Sequence, residues 1–492
     1  MKRLGKILCV LLAFVTVFSS ASVAFAKEKV TPVIVMHGLG GSDLFNNFGT
    51  ENESMIAQYG LDTSAMLRNP TVMQEALKLL DKGRKVNYDK LFAALGKILG
   101  ATGFNCTPDG NPQPGQGIDC AWDDSLKYHP AYFELRNFSI NSFAKQMRDL
   151  IGAKNLYAFN YDWRLDVHET AKQLRKLVVA VKKQTGAKKV TIVGMSLGGA
   201  VISAYMDAYK EKQDVARYVF LNGAQLGLDT ARLFRLDFTM DKKSVLSYLK
   251  HLETAFEGGA QRDTIRAILA LGDARIGTAV EKLNREVAHN PKMRKKFYLT
   301  ALKPWMTNCP SPWECIPYGE FDACVKQMSK LGILDKKSGL YRKITRYHKI
   351  QGRFKRNLKW VKQHGADVMI IANYGTRALP LTSKTNNHTD LIIDTKYASA
   401  GATVAQYGKK LKSKGRYVSP DKIIDASTCT LPDNTWFVKY ASHGLYRYNT
   451  QATKLLAKMI VRREKLSVKS VKKKYGFSQF IQTDEKQHIK NV

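Results

Sequence analysis

What most constrains this chain is a series of six short apolar runs, each bounded by turn-forming or polar residues. They read TPVIVMHG (31–38), NLYAFNY (155–161), KKVTIVG (188–194), ARYVFLNGA (216–224), ADVMIIANYG (366–375) and TWFVKY (435–440). Their cores are apolar at consecutive rather than alternate positions and rich in β-branched and aromatic residues, the pattern of strands covered on both faces. Between them the spacing becomes helical, as in 166–183, where Leu174, Leu177, Val178 and Val181 share one side. Strands alternating with helices specify an α/β fold with a mostly parallel sheet and helices on both faces. Sites in such sheets gather at the carboxyl ends of the strands.

Two long stretches interrupt the alternation, at about 44–139 and 229–359. Insertions of this length in an α/β frame are expected to form a large, mainly helical cap over the site. The expected organisation is a leader (1–26), the first part of the core (27–228), the cap (229–359), the second part of the core (360–465) and a basic C-terminal tail (466–492).

The leader follows from MKRLGKILCVLLAFVTVFSSASVAFA, with cations at Lys2, Arg3 and Lys6, an apolar run and then Ala24-Phe25-Ala26. This is the anatomy of a cleavable secretory signal cut after Ala26, so an extracellular protein, free or surface-associated, is expected. Export changes how the cysteines read. Of seven, Cys9 lies in the leader, leaving Cys106, Cys120, Cys309, Cys315, Cys324 and Cys429, an even set that suggests disulfides. Cys106 and Cys120 bracket a Pro/Gly-rich loop that a bridge would pin, and one of the Cys309, Cys315, Cys324 group would reach Cys429; the sequence leaves the connectivity open. With no C-x-x-C pair and no suitably spaced histidine, neither a metal nor a cofactor is expected.

Lys and Arg outnumber Asp and Glu 78 to 42, a formal net charge of +36. Such a surface favours an anionic lipid or wall surface. The cations are dispersed rather than interleaved with stacking aromatics, and no nucleic-acid motif is present. The stretch RREKLSVKSVKKKYGF near the C-terminus is denser in charge and reads as a surface-contacting or mobile tail.

Chemistry centres on Gly194-Met195-Ser196-Leu197-Gly198, which follows the third apolar run and opens a helical stretch. That context is a nucleophile elbow: a sharp turn lifts the serine hydroxyl off the sheet, and side chains at the two glycines would collide as strand and helix close up. A serine needs a base oriented by an acid, and in elbow enzymes the chain order is Ser, acid, His. His443, just after TWFVKY and before a helix, is the expected base. Asp390 is preferred as the acid, with Asp394 as the alternative and Asp425 a more distant one. Backbone N–H groups of Leu39, after the first strand, and Leu197 would form the oxyanion hole. His37 in the same turn is expected to stabilise it rather than to react.

At HGLGGSDLF, NYDWRLD, GMSLGG, DLIIDTKYASAG, the Ser-His-Gly around His443, and CPSPWECIPYG, the chain resembles the lecithin:cholesterol acyltransferase-like lipases of the α/β-hydrolase superfamily. Tyr161, Asp162, Trp163 and Arg164 are the most specific part of that resemblance, since a generic hydrolase does not demand them. It implies hydrolysis, or transfer, of fatty acyl chains of glycerolipids or phospholipids at a membrane or micelle surface, through an acyl-serine beneath a cap. It departs from the family at the acid, where Asp390 is followed by Leu391 rather than Gly. The competing readings are a hydrolase of another acyl bond, such as a wall-polymer ester or an amide, and a non-catalytic basic protein binding anionic membrane or wall.

Overall fold

The computed structural model describes residues 30–57, 68–119, 121–134, 140–255, 259–484 and 488–492. The leader and Cys120 therefore lie outside the described residues.

An eight-stranded sheet runs through the described chain. In chain order its strands are β1 (Val33–Met36), β2 (Leu156–Phe159), β3 (Val190–Met195), β4 (Val215–Leu221), β5 (Asp367–Tyr374), β6 (Thr435–Lys439), β7 (Phe480–Thr483) and β8 (Ile489–Asn491). Their spatial order is β2-β1-β3-β4-β5-β6-β7-β8, parallel up to β7, with β8 antiparallel at the edge. Every residue of β1, β2, β3 and β5 is buried, as continuous apolar runs require.

One face buries Ile34, Met36, Ile192, Phe220 and Ile370 under three helices: α2 (Val167–Thr185), α3 (Leu197–Tyr209) and α4 (Gly339–Gln363). The other buries Val33, Val35, Val193, Leu221 and Val438 under α1 (Asn141–Ile151) and α5 (Gln451–Ile460). Each such aliphatic side chain contributes roughly 1.5–3 kcal/mol on burial, before the entropy of ordering is set against it. The six runs read from sequence correspond to β1–β6.

Two boundaries differ from those read in the sequence. Helix α4 begins at Gly339, inside the stretch assigned to the cap, yet it lays Tyr347, Ile350, Phe354, Leu358 and Val361 on the sheet. Its polar face is dense with Lys and Arg, and this masks the apolar stripe when charge is read along the chain. The segment 466–492, read as a tail, is built into the core. Leu466 and Val471 enter the core beside α5, and β7 extends the sheet in register with β6, pairing Phe480 with Phe437 and Ile481 with Val438. The lysines of Val468–Tyr475 are exposed on a capped helix that buries Val471 and packs Val468 and Tyr475 on the core.

The two insertions merge. Val72, Leu79 and Phe92 from the first share one apolar cluster with Phe234, Tyr298, Trp313 and Met328 from the second. From this body the helix Lys242–Ala255 reaches the loops after β5 and β6: Arg377 donates to the Ser244 hydroxyl at 2.8 Å, and the Tyr448 hydroxyl to the carbonyl of Ala255 at 3.2 Å.

Candidate active site

Ser196 stands between β3 and α3 with φ 55° and ψ −120°, a conformation that costs a non-glycine residue on the order of 1–3 kcal/mol. Its neighbours enforce it. Ser196 N donates to Leu221 O of β4 at 3.1 Å, while Ser196 O accepts from Gly199 N at 2.9 Å and Ala224 N at 2.8 Å. A Cβ on Gly194 would lie 2.6 Å from the oxygen of Gly198, and one on Gly198 would lie 2.9 Å from the oxygen of His37, so neither position tolerates a side chain. Between Val190 and Met206 Ser196 alone is not buried. The turn after β1 abuts it: a Cβ on Gly38 would sit 3.0 Å from Ser196 Oγ. The Gly38–Leu39 segment is thus pressed against the serine from one side while α3 begins with Leu197 on the other.

His443 follows β6, and Asp390 lies in the loop after β5. His443 Nδ1 is 2.6 Å from Asp390 Oδ2, and the His443 backbone N donates to Asp390 O at 2.7 Å. The second carboxylate oxygen accepts from Ile392 N at 3.0 Å and Ile393 N at 2.7 Å. Asp390 is thereby held at both oxygens, and Nδ1 of the histidine must carry the proton, leaving Nε2 able to accept one. Asp394 is engaged elsewhere: it accepts from Asp229 N at 2.7 Å and Asn387 Nδ2 at 2.6 Å. Burial and the neighbouring Asp229 carboxylate push its carboxyl up to about 6. Of the two aspartates weighed in the sequence, the structure brings Asp390 to His443. Asp425 caps a short turn, accepting from Ser427 N at 3.0 Å.

His37 is buried in the turn beside the serine. Its Nδ1 lies 2.7 Å from Gly38 O and its Nε2 accepts from Tyr161 N at 3.4 Å, so both ring nitrogens are occupied. Desolvation lowers its pKa to about 4, which keeps the ring neutral. The Tyr161–Arg164 motif builds this turn's support. Tyr161 stacks on His37, the Ser42 hydroxyl donates to Tyr161 O at 2.9 Å, and Trp163 Nε1 donates to Ser42 O at 3.2 Å. Arg164, fully buried, makes a two-pronged pair with Asp162 at 2.9 and 2.7 Å.

Two residues that sequence reading passed over connect these parts. Asn222, just past β4, donates from its backbone to Ile371 O at 2.9 Å and accepts from Asn373 N at 2.8 Å; Asn373 Nδ2 in turn donates to Ser442 O at 3.1 Å, next to His443. Both are buried amides at strand ends. Their signal was present in FLNGA and IIANYG, where a polar amide closes an apolar run. Among the described residues no disulfide occurs: Cys106, Cys309, Cys315, Cys324 and Cys429 all carry free thiols. No described cluster of three or more His, Cys, Asp or Glu could hold a metal, and no described helix is long and apolar enough to cross a membrane.

The parallel sheet with helices on both faces, and a strained serine where β3 turns into α3, define an α/β-hydrolase fold. The model of the lecithin:cholesterol acyltransferase family matches residues 141–233, the stretch that carries Tyr161–Arg164 and Ser196. This likeness supports an acyl-ester hydrolase or acyltransferase. Among curated proteins none matches the chain. Similar solved structures include Cfl2 from Burkholderia cenocepacia (10% identity, TM-score 0.25, covering 65% of this chain and 84% of that one). Two others are the Tle4–Tli4 complex (14%, TM-score 0.31, 88% and 97%) and a 2-hydroxy-6-oxo-6-phenylhexa-2,4-dienoate hydrolase from Rhodococcus sp. strain RHA1 (11%, TM-score 0.26, 64% and 83%).

Proposed function

We propose that this chain is an exported serine lipase or phospholipase that cleaves fatty acyl esters of glycerolipids through an acyl-serine intermediate. The observation that carries the reading is the 2.6 Å contact of His443 Nδ1 with a carboxylate held by two backbone N–H groups, in a fold that strains Ser196 at a strand-to-helix elbow. His443 Nε2 takes the Ser196 proton as Oγ attacks the ester carbonyl. The N–H groups of Leu39 and Leu197 receive the oxyanion, and Asp390 balances the imidazolium. Collapse of the tetrahedral adduct expels the alcohol, protonated by His443. Water, activated by the same histidine, releases the fatty acid; a lipid alcohol in its place would give acyl transfer. The excess of cations favours approach to anionic membrane or micelle surfaces.

The purified chain is assayed on phospholipids, triglycerides and short-chain esters, alongside Ser196→Ala. Fatty acid release that disappears in the variant at an unchanged melting midpoint is expected, with fluorophosphonate labelling confined to Ser196. Turnover retained by the variant would remove the serine mechanism, and cleavage of short esters but no lipid would remove the lipid substrate.

A further inference from the structure

Cys106 and Cys309 are 203 positions apart in the chain, one in the loop after the first insertion's second helix, the other at the root of the cap. They meet in the core. Both are buried, at 1% and 0% exposure, in the apolar cluster that also holds Trp163, and the main chain of Cys106 is held by the side chain of Asn308, the residue before Cys309. Of the other three described cysteines, Cys324 belongs to the cap's own cluster, Cys429 to a separate one beside Phe437, and Cys315 is half-buried at the end of the short helix Pro310–Glu314.

The backbones around the pair are fastened independently of the sulfurs. Asn308 Nδ2 donates to Cys106 O at 2.8 Å, Gly339 N donates to Asp109 Oδ1 at 3.0 Å, and Lys343 Nζ donates to Gly110 O at 2.8 Å. The loop that follows Cys106 is therefore laid along residues 308–343, which holds Cys106 in the same part of the core as Cys309. Cys309 Sγ also lies 3.9 Å from Arg164 O, so the pair sits directly under the Tyr161–Arg164 turn.

We propose that Cys106 and Cys309 form a disulfide when the chain folds in an oxidising compartment, stapling the core to the root of the cap. The bond forms by two exchange steps. A thiolate of the pair attacks a disulfide-bonded oxidant, R–S–S–R, and expels one RS⁻. The second thiolate then attacks the resulting mixed disulfide and expels the other. The two thiol protons leave with two RSH, and the pair loses two electrons to the oxidant. Burial holds the Cys309 thiol well above its ordinary pKa, so the exchange belongs to the folding chain, before residues 309–316 seat. Once seated, the bond is shielded from soluble reductant. The pairing replaces the Cys106–Cys120 bridge suggested by sequence spacing and does not depend on the catalytic reading.

Peptide mapping of the wild-type chain, exported into an oxidising compartment and digested without reductant after alkylation, reads the bond directly. The expected result is a cross-linked peptide joining Cys106 to Cys309 that separates on reduction. A Cys106–Cys120 cross-link, or alkylation of both Cys106 and Cys309 in unreduced, denatured protein, would overturn it. As a second readout, unfolding in denaturant with reductant and refolding with the reductant kept should lower the wild-type melting midpoint by at least about 5 °C and leave that of a Cys106→Ala/Cys309→Ala double variant unmoved. A midpoint equally sensitive in both would assign the effect to other cysteines.

Discussion

The hydroxyl of Tyr161 donates to the main-chain oxygen of His37 at 2.9 Å, while the two rings lie 4.4 Å apart and almost parallel. One side chain thus grips the turn after β1 through both its polar tip and its face, and Trp163 holds the same turn further on through Ser42. The turn has no regular secondary structure of its own, so the position of Leu39 N–H is set by these contacts.

Tyr161→Phe keeps the stacked ring and deletes the hydrogen bond. The stability loss should be near 1 kcal/mol, since one buried acceptor is left short of a donor. Turnover should fall about tenfold with KM little changed if Leu39 N–H is the oxyanion donor proposed above, because such a donor acts mainly in the transition state. Steady-state kinetics on a soluble ester, beside thermal melting, checks this; a rise in KM with kcat intact would mean that Tyr161 shapes ground-state binding instead.

The two aspartates of the DLIIDTKYASAG segment separate by substitution. Asp390→Asn presents an amide where His443 Nδ1 donates, favouring the wrong tautomer, and should lower kcat by about 10⁴ with the fold intact. Asp394→Asn should leave kcat within about tenfold while lowering the melting midpoint, since one of the donors Asp229 N and Asn387 Nδ2 would then face an NH₂ group. Equal losses of kcat in the two variants would contradict the assignment.

How much could be read beforehand follows from how local each signal is. Strands β1–β6 were legible because each has a contiguous apolar core of three or more residues, and the elbow was legible because glycine spacing enforces it within five residues. The sequence favours Asp390 over Asp394 but does not decide between them: both are buried, both follow the same strand, and what divides them is a contact with a histidine 53 residues away from Asp390. The Asn222–Asn373 link has the same character, as its meaning depends on strand adjacency. In 466–492 a high density of lysine hid a short amphipathic helix and a strand, because charge averaged along a segment says nothing about which face carries it.

That segment gives a prediction about stability. Leu466 N donates to Asp367 Oδ2 at 2.8 Å, and Gln479 Nε2 donates to Thr435 O at 2.7 Å, so the segment satisfies polar groups of the sheet as well as adding β7 and β8. Removing residues 466–492 should expose β6 as a bare, apolar edge and give aggregated protein. In the full chain Ile481→Asp should destabilise by roughly 3 kcal/mol, by burying an unpaired carboxylate. A soluble truncated chain that melts like the intact one would show that the segment is an appendage after all.

Acid sensitivity comes from buried histidines. His388 is 4% exposed, and neither of its ring nitrogens has a hydrogen-bond partner among the described residues. Desolvation lowers its pKa to about 4; Asp421 works against this, while Lys439 and Arg377 reinforce it. The unfolded chain takes up a proton near the ordinary value of 6.5, and the folded chain does so only near 4. The folded state therefore binds fewer protons in that window, and the contribution to stability is full above about pH 6.5 and lost as pH falls towards 4. Its upper limit is about 3 kcal/mol, since each tenfold loss of proton affinity on folding corresponds to about 1.4 kcal/mol. His37 and His348, also lowered to about 4 by burial, act in the same sense. His388→Phe places an apolar ring among Tyr374 and Tyr407, where the histidine nitrogens have no partner to lose. At pH 7.5 the variant should match the wild type within about 1 kcal/mol, and its loss of stability between pH 7.5 and pH 5 should be smaller but not abolished, since burial also lowers His168 and His251 while Asp394, raised to about 6, acts in the opposite sense. Denaturant unfolding at a series of pH values checks this; a pH slope identical to that of the wild type would show that His388 does not titrate with unfolding.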